Sequence, residues 1–131
     1  MKKAILCVDD EKTILDTLTH QLRELFGEQY AYEKAESGDE ALEILEELNE
    51  DGTSAVLVIS DWLMPGMKGD EFLIKVKHDF DFMGVKKILL TGHAPKDAVE
   101  RAYTDAGLDH YIQKPWKKED LKKKLNYLNK A

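Results

Sequence analysis

Cysteine is scarce in this chain, and long apolar runs are absent from it. The single cysteine, Cys7, cannot form an internal disulfide, and its place inside the apolar run AILCV suits a buried thiol in a reducing compartment. That run follows two N-terminal lysines but is too short for a secretion signal, and no other run reaches the length that spans a membrane. We therefore expect a cytoplasmic protein with no membrane contact.

Basic residues are outnumbered by acidic ones, with 19 Lys and Arg against 26 Asp and Glu. The formal net charge of −7 argues against nucleic acid as a direct ligand, because a nucleic-acid-binding domain normally presents a basic face to phosphate. The charge is uneven: from Lys114 onward seven lysines stand against Glu119 and Asp120, a net of +5 that leaves −12 for the rest. This basic segment is either a solvated helix face or a docking surface for an acidic partner.

Strand-like and helix-like segments alternate five times within 131 residues, a length that suits one domain. Short apolar runs predict strands at 3–8, 30–34, 55–60, 86–90 and 109–113. Apolar residues at helical spacing predict helices at 12–26, after Ser37, from about 70, at 95–105, and over Leu121, Leu125 and Leu128. Glu40, three residues after Ser37, predicts a capping box. Five strand-helix units imply an α/β fold with a five-stranded, doubly wound parallel sheet.

Polar residues stand where four of the predicted strands end. They are Asp9 and Asp10 after the first strand, Asp61 after the third, Thr91 after the fourth and Lys114 after the fifth. Parallel strands gather their carboxyl ends at one edge of a sheet, so we expect these residues to meet there. Three carboxylates, a hydroxyl and an ammonium can hold a hard divalent cation together with a phosphoryl group. Taken singly, the aspartates could instead cap the first helix, Thr91 could be a loop hydroxyl, and Lys114 could be solvated.

The motifs at these positions resemble those of the receiver domain of two-component response regulators. The resemblance rests on ILCVDDE, SGDEAL, VISDWLMPGMKGDEF, LLTGHA and YIQKPW, in this order, and covers essentially the whole chain. It implies a flavodoxin-like fold with strand order 2-1-3-4-5, in which the first and third strands flank the switch point where ligands bind. It also implies that residues 1–131 form a single receiver domain, with no output domain in this chain.

The resemblance assigns a chemical role to each strand-end residue. Asp61 matches the phosphoacceptor, which takes a phosphoryl group from the histidine of a sensor kinase or a histidine phosphotransfer protein. The metal is expected to be Mg²⁺, with Asp10 as its main ligand, Asp9 acting partly through water, and Asp61 and the backbone carbonyl of Trp62 each giving an oxygen. Lys114 matches the residue that pairs with phosphoryl oxygens. Pro115, which follows it, matches a position that usually has a cis peptide bond.

Thr91 and Tyr111 match the two residues that carry the conformational switch. The resemblance implies that the Thr91 hydroxyl turns toward the phosphoryl group and that the Tyr111 ring moves into the vacated space. The surface of the fourth helix, fifth strand and fifth helix then changes its partner binding. Trp116, with lysines 117 and 118, is expected to lie near this surface.

Two further positions, Leu63 and His93, match those that govern the lifetime of the phosphoryl group. Leu63 cannot hydrogen-bond an attacking water, whereas His93 can either do so or shield the site, so the direction of their effect stays open.

Two alternative functions remain open at this point. The first is a Mg²⁺-dependent phosphatase or phosphotransferase acting on a small substrate. It is disfavoured because the chain has no cap insertion and has Leu63 where a second acid would stand. The second is a receiver that regulates by binding without phosphorylation. In the favoured interpretation the chain catalyses only its own aspartyl phosphorylation and dephosphorylation, and its downstream protein or fused output domain is unknown.

Overall fold

The fold is a parallel sheet covered by helices on both faces. In a computed structural model of the protein, which describes residues 2–126 and 128, the strands are β1 (Lys2–Val8), β2 (Ala31–Ala35), β3 (Thr53–Ser60), β4 (Lys86–Thr91) and β5 (His110–Gln113). The helices are α1 (Lys12–Phe26), α2 (Gly38–Glu50), α3 (Gly69–Phe80), α4 (Lys96–Asp105) and α5 (Lys118–Lys124). All strand pairs are parallel and the order is β2-β1-β3-β4-β5, which confirms the predicted doubly wound, flavodoxin-like topology.

Two apolar layers lie on either side of the sheet. In β1, Leu6 and Val8 pack in the layer shared with α2, α3 and α4, whereas Ile5 and Cys7 pack in the layer shared with α1 and α5. Successive side chains of a strand point to opposite faces, so a strand covered on both faces is apolar throughout. Cys7 is fully buried, and burial raises the pKa of its thiol, which fits a core residue rather than a nucleophile.

Most predicted boundaries hold within a residue or two, and the differences have local causes. Ser37 caps α2 by accepting a hydrogen bond from the Glu40 amide at 3.1 Å. The reciprocal half of the capping box is shifted by one residue, because the Glu40 carboxylate accepts from the Glu36 amide at 2.6 Å rather than from that of Ser37. Pro95 is the residue before α4 rather than part of its first turn.

The closing helix is shorter than the leucine spacing predicted. It ends at Lys124, so Leu125 and Leu128 lie beyond it, although both are buried in the layer with α1. Lys130, the last lysine of the basic segment, lies outside the described residues. Among the residues that are described, none of the helices combines the length and the apolar character needed to cross a bilayer.

Candidate functional site

The structure brings Asp9, Asp10 and Asp61 together at the carboxyl edge of the sheet. One oxygen from each carboxylate lies within 4.8 Å of the others. The backbone fixes this arrangement, since the Asp61 amide donates to the carbonyl of Val8 at 2.9 Å and the Asp9 amide donates to that of Ala35 at 3.1 Å. Asp9 and Asp61 are buried while Asp10 is exposed, so the group opens to solvent on the Asp10 side.

Neither of the first two aspartates caps α1. The residue at the N-cap is Glu11, whose side chain makes no capping bond, and Asp9 accepts from the Glu11 amide at 2.9 Å. Hard oxygen donors in a group of three suit Mg²⁺, which prefers carboxylate oxygens and keeps some of its water. The donor set therefore fits that ion.

Lys114 reaches the carboxylates from the end of β5. Its Nζ lies 2.7 Å from Asp9 Oδ2 and 3.4 Å from Asp61 Oδ2. Its backbone amide donates to the carbonyl of Thr91 at 3.2 Å, which holds the end of β5 beside the end of β4. The peptide bond between Lys114 and Pro115 is cis, as the resemblance implied. One ammonium thus touches two buried carboxylates, and it is therefore not a solvated side chain.

Burial and mutual attraction shift the pKa values of Asp9 and Lys114. Burial is the largest influence on Asp9 and raises the pKa of its carboxyl above the ordinary value, although the hydrogen bonds from Lys114 and Glu11 act in the opposite direction. Burial also opposes the charge on Lys114, but the hydrogen bond to Asp9 and the charges of Asp61 and Asp9 outweigh it and raise its pKa. The Lys114 side chain therefore stays protonated and positively charged at neutral pH, within an acidic site.

Both backbone polar groups of Trp62 are hydrogen-bonded. Its amide donates to Asp61 Oδ1 at 2.8 Å, which orients the carboxylate of the residue before it. Its carbonyl, the expected metal ligand, accepts from the Gly69 amide at 2.9 Å. That bond occupies one lone pair of the oxygen and leaves the other, so a metal role for this carbonyl stays a prediction.

Thr91 and Tyr111 lie side by side at the same edge. Thr91 is fully buried, and its hydroxyl accepts from the His93 amide at 3.2 Å. The Tyr111 hydroxyl donates to the backbone carbonyl of Thr91 at 3.3 Å, and its ring is half-buried against the layer that includes α4. The two residues therefore touch, which any switch that links them requires.

A cleft opens beside two of the three carboxylates. Its lining includes Asp10, Asp61 and Lys114, and its rim includes Leu63 and His93. Leu63 is 43% exposed. The sequence did not single out Glu11 and Ile14, which line the same cleft, because their place depends on how α1 begins after the β1 loop.

The site also has an unforeseen neighbour. Asp70 and Arg101 form an ion pair beside Trp62, with 2.8 Å between Arg101 Nε and Asp70 Oδ2. No local pattern could reveal a pair that joins α3 to α4 across 31 positions.

A doubly wound sheet with aspartates after its first and third strands and a lysine after its fifth is typical of two-component signalling proteins. Residues 5–126 match the response regulator receiver domain, and the chain belongs to that family. It is 33% identical over 121 residues to the chemotaxis protein CheY1 of Helicobacter pylori, covering 92% of each chain. It is 30% identical over 122 residues to the chemotaxis protein CheY-3 of Vibrio cholerae, covering 93% of this chain and 88% of the relative.

Solved structures agree with this assignment. The CheY-like response regulator receiver domain protein of Methanospirillum hungatei JF-1 superposes with a TM-score of 0.81 at 33% identity, covering 99% of this chain and 96% of that one. The signal receiver domain of an HD domain-containing protein from Pseudomonas fluorescens Pf-5 superposes with a TM-score of 0.83 at 26% identity, with the same coverage. Receiver domains of this family work with histidine kinases and downstream effectors.

Proposed function

We propose that this receiver accepts a phosphoryl group from a phosphohistidine onto Asp61 and signals its phosphorylation state through the surface of α4, β5 and α5. The observation that carries the proposal is the contact of the Lys114 ammonium with both Asp9 and Asp61. A cation held between two buried carboxylates is ready to pair with phosphoryl oxygens added to one of them.

In the proposed reaction, an oxygen of Asp61 attacks phosphorus. The new oxygen–phosphorus bond forms as the nitrogen–phosphorus bond to the donor imidazole breaks, and the electron pair leaves on that imidazole. Phosphoryl transfer needs mainly positioning and charge neutralisation, so no general base is required. The Trp62 amide holds the attacking carboxylate, and Lys114 stabilises the charge on the transferred group. When Mg²⁺ is bound by Asp9, Asp10 and Asp61, it supplies further positive charge against the repulsion between carboxylates and phosphoryl group.

The output side of the proposal rests on Thr91 and Tyr111. A phosphoryl group on Asp61 attracts the Thr91 hydroxyl away from the His93 amide, and the Tyr111 ring, whose hydroxyl bonds the Thr91 backbone carbonyl, moves into the space that the Thr91 hydroxyl leaves. Tyr103 of α4 is 45% exposed and offers an apolar contact for a partner on this surface. Phosphorylation shifts a pre-existing equilibrium only as far as these new contacts favour one state.

Trp116 and Lys118, which were expected near this surface, lie at the start of α5 and also contact α1. The Trp116 indole donates to Gln21 Oε1 at 2.7 Å, and the Lys118 ammonium lies 3.7 Å from Glu24. Gln21 and Glu24 belong to α1, so these contacts tie the start of α5, one element of the output surface, to α1.

Incubation with Mg²⁺ and acetyl phosphate, followed by intact mass measurement, tests the acceptor. We expect the wild type to gain one phosphoryl group and Asp61→Asn to gain none. Asp120→Asn is the matched control, because Asp120 is an acid in the first turn of α5, away from the site, and this variant should gain the group normally. A wild type that gains no mass contradicts the proposal and favours a receiver that acts without phosphorylation. Equal gain by Asp61→Asn contradicts the choice of acceptor.

The metal part has a separate test. Trp62 and Trp116 are the only tryptophans, so a Trp116→Phe background assigns the emission to Trp62. We expect Mg²⁺ to change this emission with saturation, and Asp10→Asn to require more Mg²⁺. An unchanged titration in Asp10→Asn would remove that residue from the metal site.

A further inference from the structure

Asp70 is a buried carboxylate that the proposed reaction does not use. It is the second residue of α3, is 3% exposed, and has a partner for each oxygen. The Trp62 indole donates to Oδ1 at 2.9 Å, and the Arg101 guanidinium donates to Oδ2 at 2.8 Å. Trp62 directly follows the acceptor, whereas Arg101 lies on α4 with its side chain half exposed. Asp70 therefore connects the acceptor's neighbour to the output helix.

The connection continues without a gap to the acceptor carboxylate. The Trp62 amide holds Asp61 Oδ1, and the Gly69 amide, one residue before Asp70, holds the Trp62 carbonyl. At Gly69 the first turn of α3 packs directly against the Asp61–Trp62 peptide. A Cβ added at Gly69 would collide with the Asp61 carbonyl oxygen and stand 2.7 Å from Trp62 Cα. The start of α3 therefore cannot shift without moving the Asp61–Trp62 peptide.

The two partners of Asp70 depend on each other. A buried carboxylate is costly unless both its charge and its lone pairs are satisfied, so Asp70 keeps its position only while Arg101 remains beside it. If α4 moves and withdraws Arg101, the carboxylate turns toward solvent, and the Trp62 indole loses the acceptor that holds it. An exposed ion pair such as Arg23 with Glu28 has no comparable consequence, because neither side chain is buried.

We propose that Asp70 is a positioning residue that couples the orientation of α4, through Arg101, to the orientation of the acceptor carboxylate, through Trp62. This link is separate from the contact between Thr91 and Tyr111, and its role in phosphoryl uptake rests on the proposed function. Coupling of binding equilibria is reciprocal, so a change at α4 alters the acidic site by the same factor as the reverse.

Arg101→Gln tests the coupling from its far end, because Arg101 lies on α4 and pairs with Asp70 rather than with Asp9, Asp10 or Asp61. The first measurement needs neither metal nor phosphoryl donor: amide hydrogen exchange at Gly69, whose bond to the Trp62 carbonyl reports the acceptor loop. We expect this exchange to be faster in Arg101→Gln by about fivefold, the lower end of typical coupling between linked sites. The control Arg23→Gln, which breaks an exposed ion pair on α1, should leave it unchanged.

The second measurement is the Mg²⁺ titration of Trp62 emission in the Trp116→Phe background. We expect Arg101→Gln and Asp70→Asn each to weaken Mg²⁺ binding several-fold, and the double variant to weaken it no further than the worse single variant, because residues in one network are not additive. Arg101→Lys keeps the charge without the guanidinium geometry and should restore part of the affinity.

A merely structural role gives a different result. In that case Arg101→Gln lowers the free energy of unfolding in urea but leaves both the Gly69 exchange and the Mg²⁺ affinity as in Arg23→Gln, and the proposal is overturned. Full additivity of Asp70→Asn and Arg101→Gln also overturns it. If the wild type takes up no phosphoryl group, the proposed function fails, but the Gly69 exchange still decides whether the acceptor loop is coupled to α4.

Discussion

A methyl group added at Gly69 should damage this protein far more than the same methyl group added at Gly38. Both glycines are the first residue of a helix, α3 and α2 respectively, and neither has a positive φ, so their helix-propensity terms cancel in the comparison. At Gly69 the new Cβ meets backbone, the Asp61 carbonyl oxygen and, at 2.7 Å, Trp62 Cα. At Gly38 it meets mainly the side chain of Met67, with the sulfur at 3.1 Å, and a methionine adapts easily.

The size of the effect follows from the rigidity of the contact. Overpacking against structure that cannot yield costs about 1–3 kcal/mol, so Gly69→Ala should lower the free energy of unfolding by about that amount. With an unfolding entropy of about 2.1 cal/mol/K per residue over 131 residues, this corresponds to a fall of about 4–11 °C in Tm. Gly38→Ala should stay within about 1 kcal/mol of the wild type, because a flexible neighbour can move aside.

Urea unfolding followed by far-ultraviolet circular dichroism measures both variants. Equal slopes with denaturant would show that the midpoint shift is a change of stability and not of compactness. Acetyl phosphate labelling adds a second comparison, since a displaced Asp61–Trp62 peptide should slow uptake in Gly69→Ala only. An equal loss of stability in the two variants, or no loss in Gly69→Ala, would refute the argument that α3 begins in rigid contact with the acceptor peptide.

Three further predictions concern the rim, the switch and a tyrosine remote from both. Leu63→Gln should shorten the lifetime of the phosphorylated protein by about tenfold, the worth of one hydrogen bond to attacking water, as followed by loss of phosphoryl mass; a lifetime equal to that of Leu63→Ala would contradict it. Tyr111→Phe removes only the 3.3 Å bond to Thr91, so it should cost about 1 kcal/mol or less in urea unfolding, and a larger loss would mean that this bond holds the edge together. Burial raises the pKa of Tyr32 to about 12, so the folded protein retains that proton more strongly than the unfolded chain, and stability should fall as pH rises from about 10 to 12. Tyr32→Phe should flatten this part of the pH–stability curve, and an identical fall in the variant would assign it to another group.

The elements themselves were readable from the sequence, because they depend on local repetition. Apolar residues at helical spacing gave α1 its observed bounds, and the uninterrupted apolar run of β3 indicated a strand covered on both faces. The last helix was overestimated, because a leucine spacing shows which residues are buried without showing where the helical hydrogen bonds stop. Leu125 and Leu128 are buried past the end of α5.

The composition of the acidic site was also readable, since parallel topology carries every strand end to one edge. Asp9, Asp10, Asp61, Thr91 and Lys114 were predicted to meet from their positions after strands, without any distance. The different contacts and exposure of these five residues were not predicted by their positions after strands. Only the packed structure gives Lys114 two carboxylate contacts, leaves Asp10 exposed and places the Tyr111 hydroxyl against the Thr91 carbonyl.

The sequence by itself determined the order of strands and helices, the buried faces and the set of polar residues at the strand ends, because each follows from covalent order and periodicity along the chain. Only the tertiary structure decided which of those groups touch, and only it joined Asp70 on α3 to Trp62 and to Arg101 on α4. A buried carboxylate takes its partners from whatever the fold places within about 3 Å, and that distance is set by the packing of helices far apart in sequence.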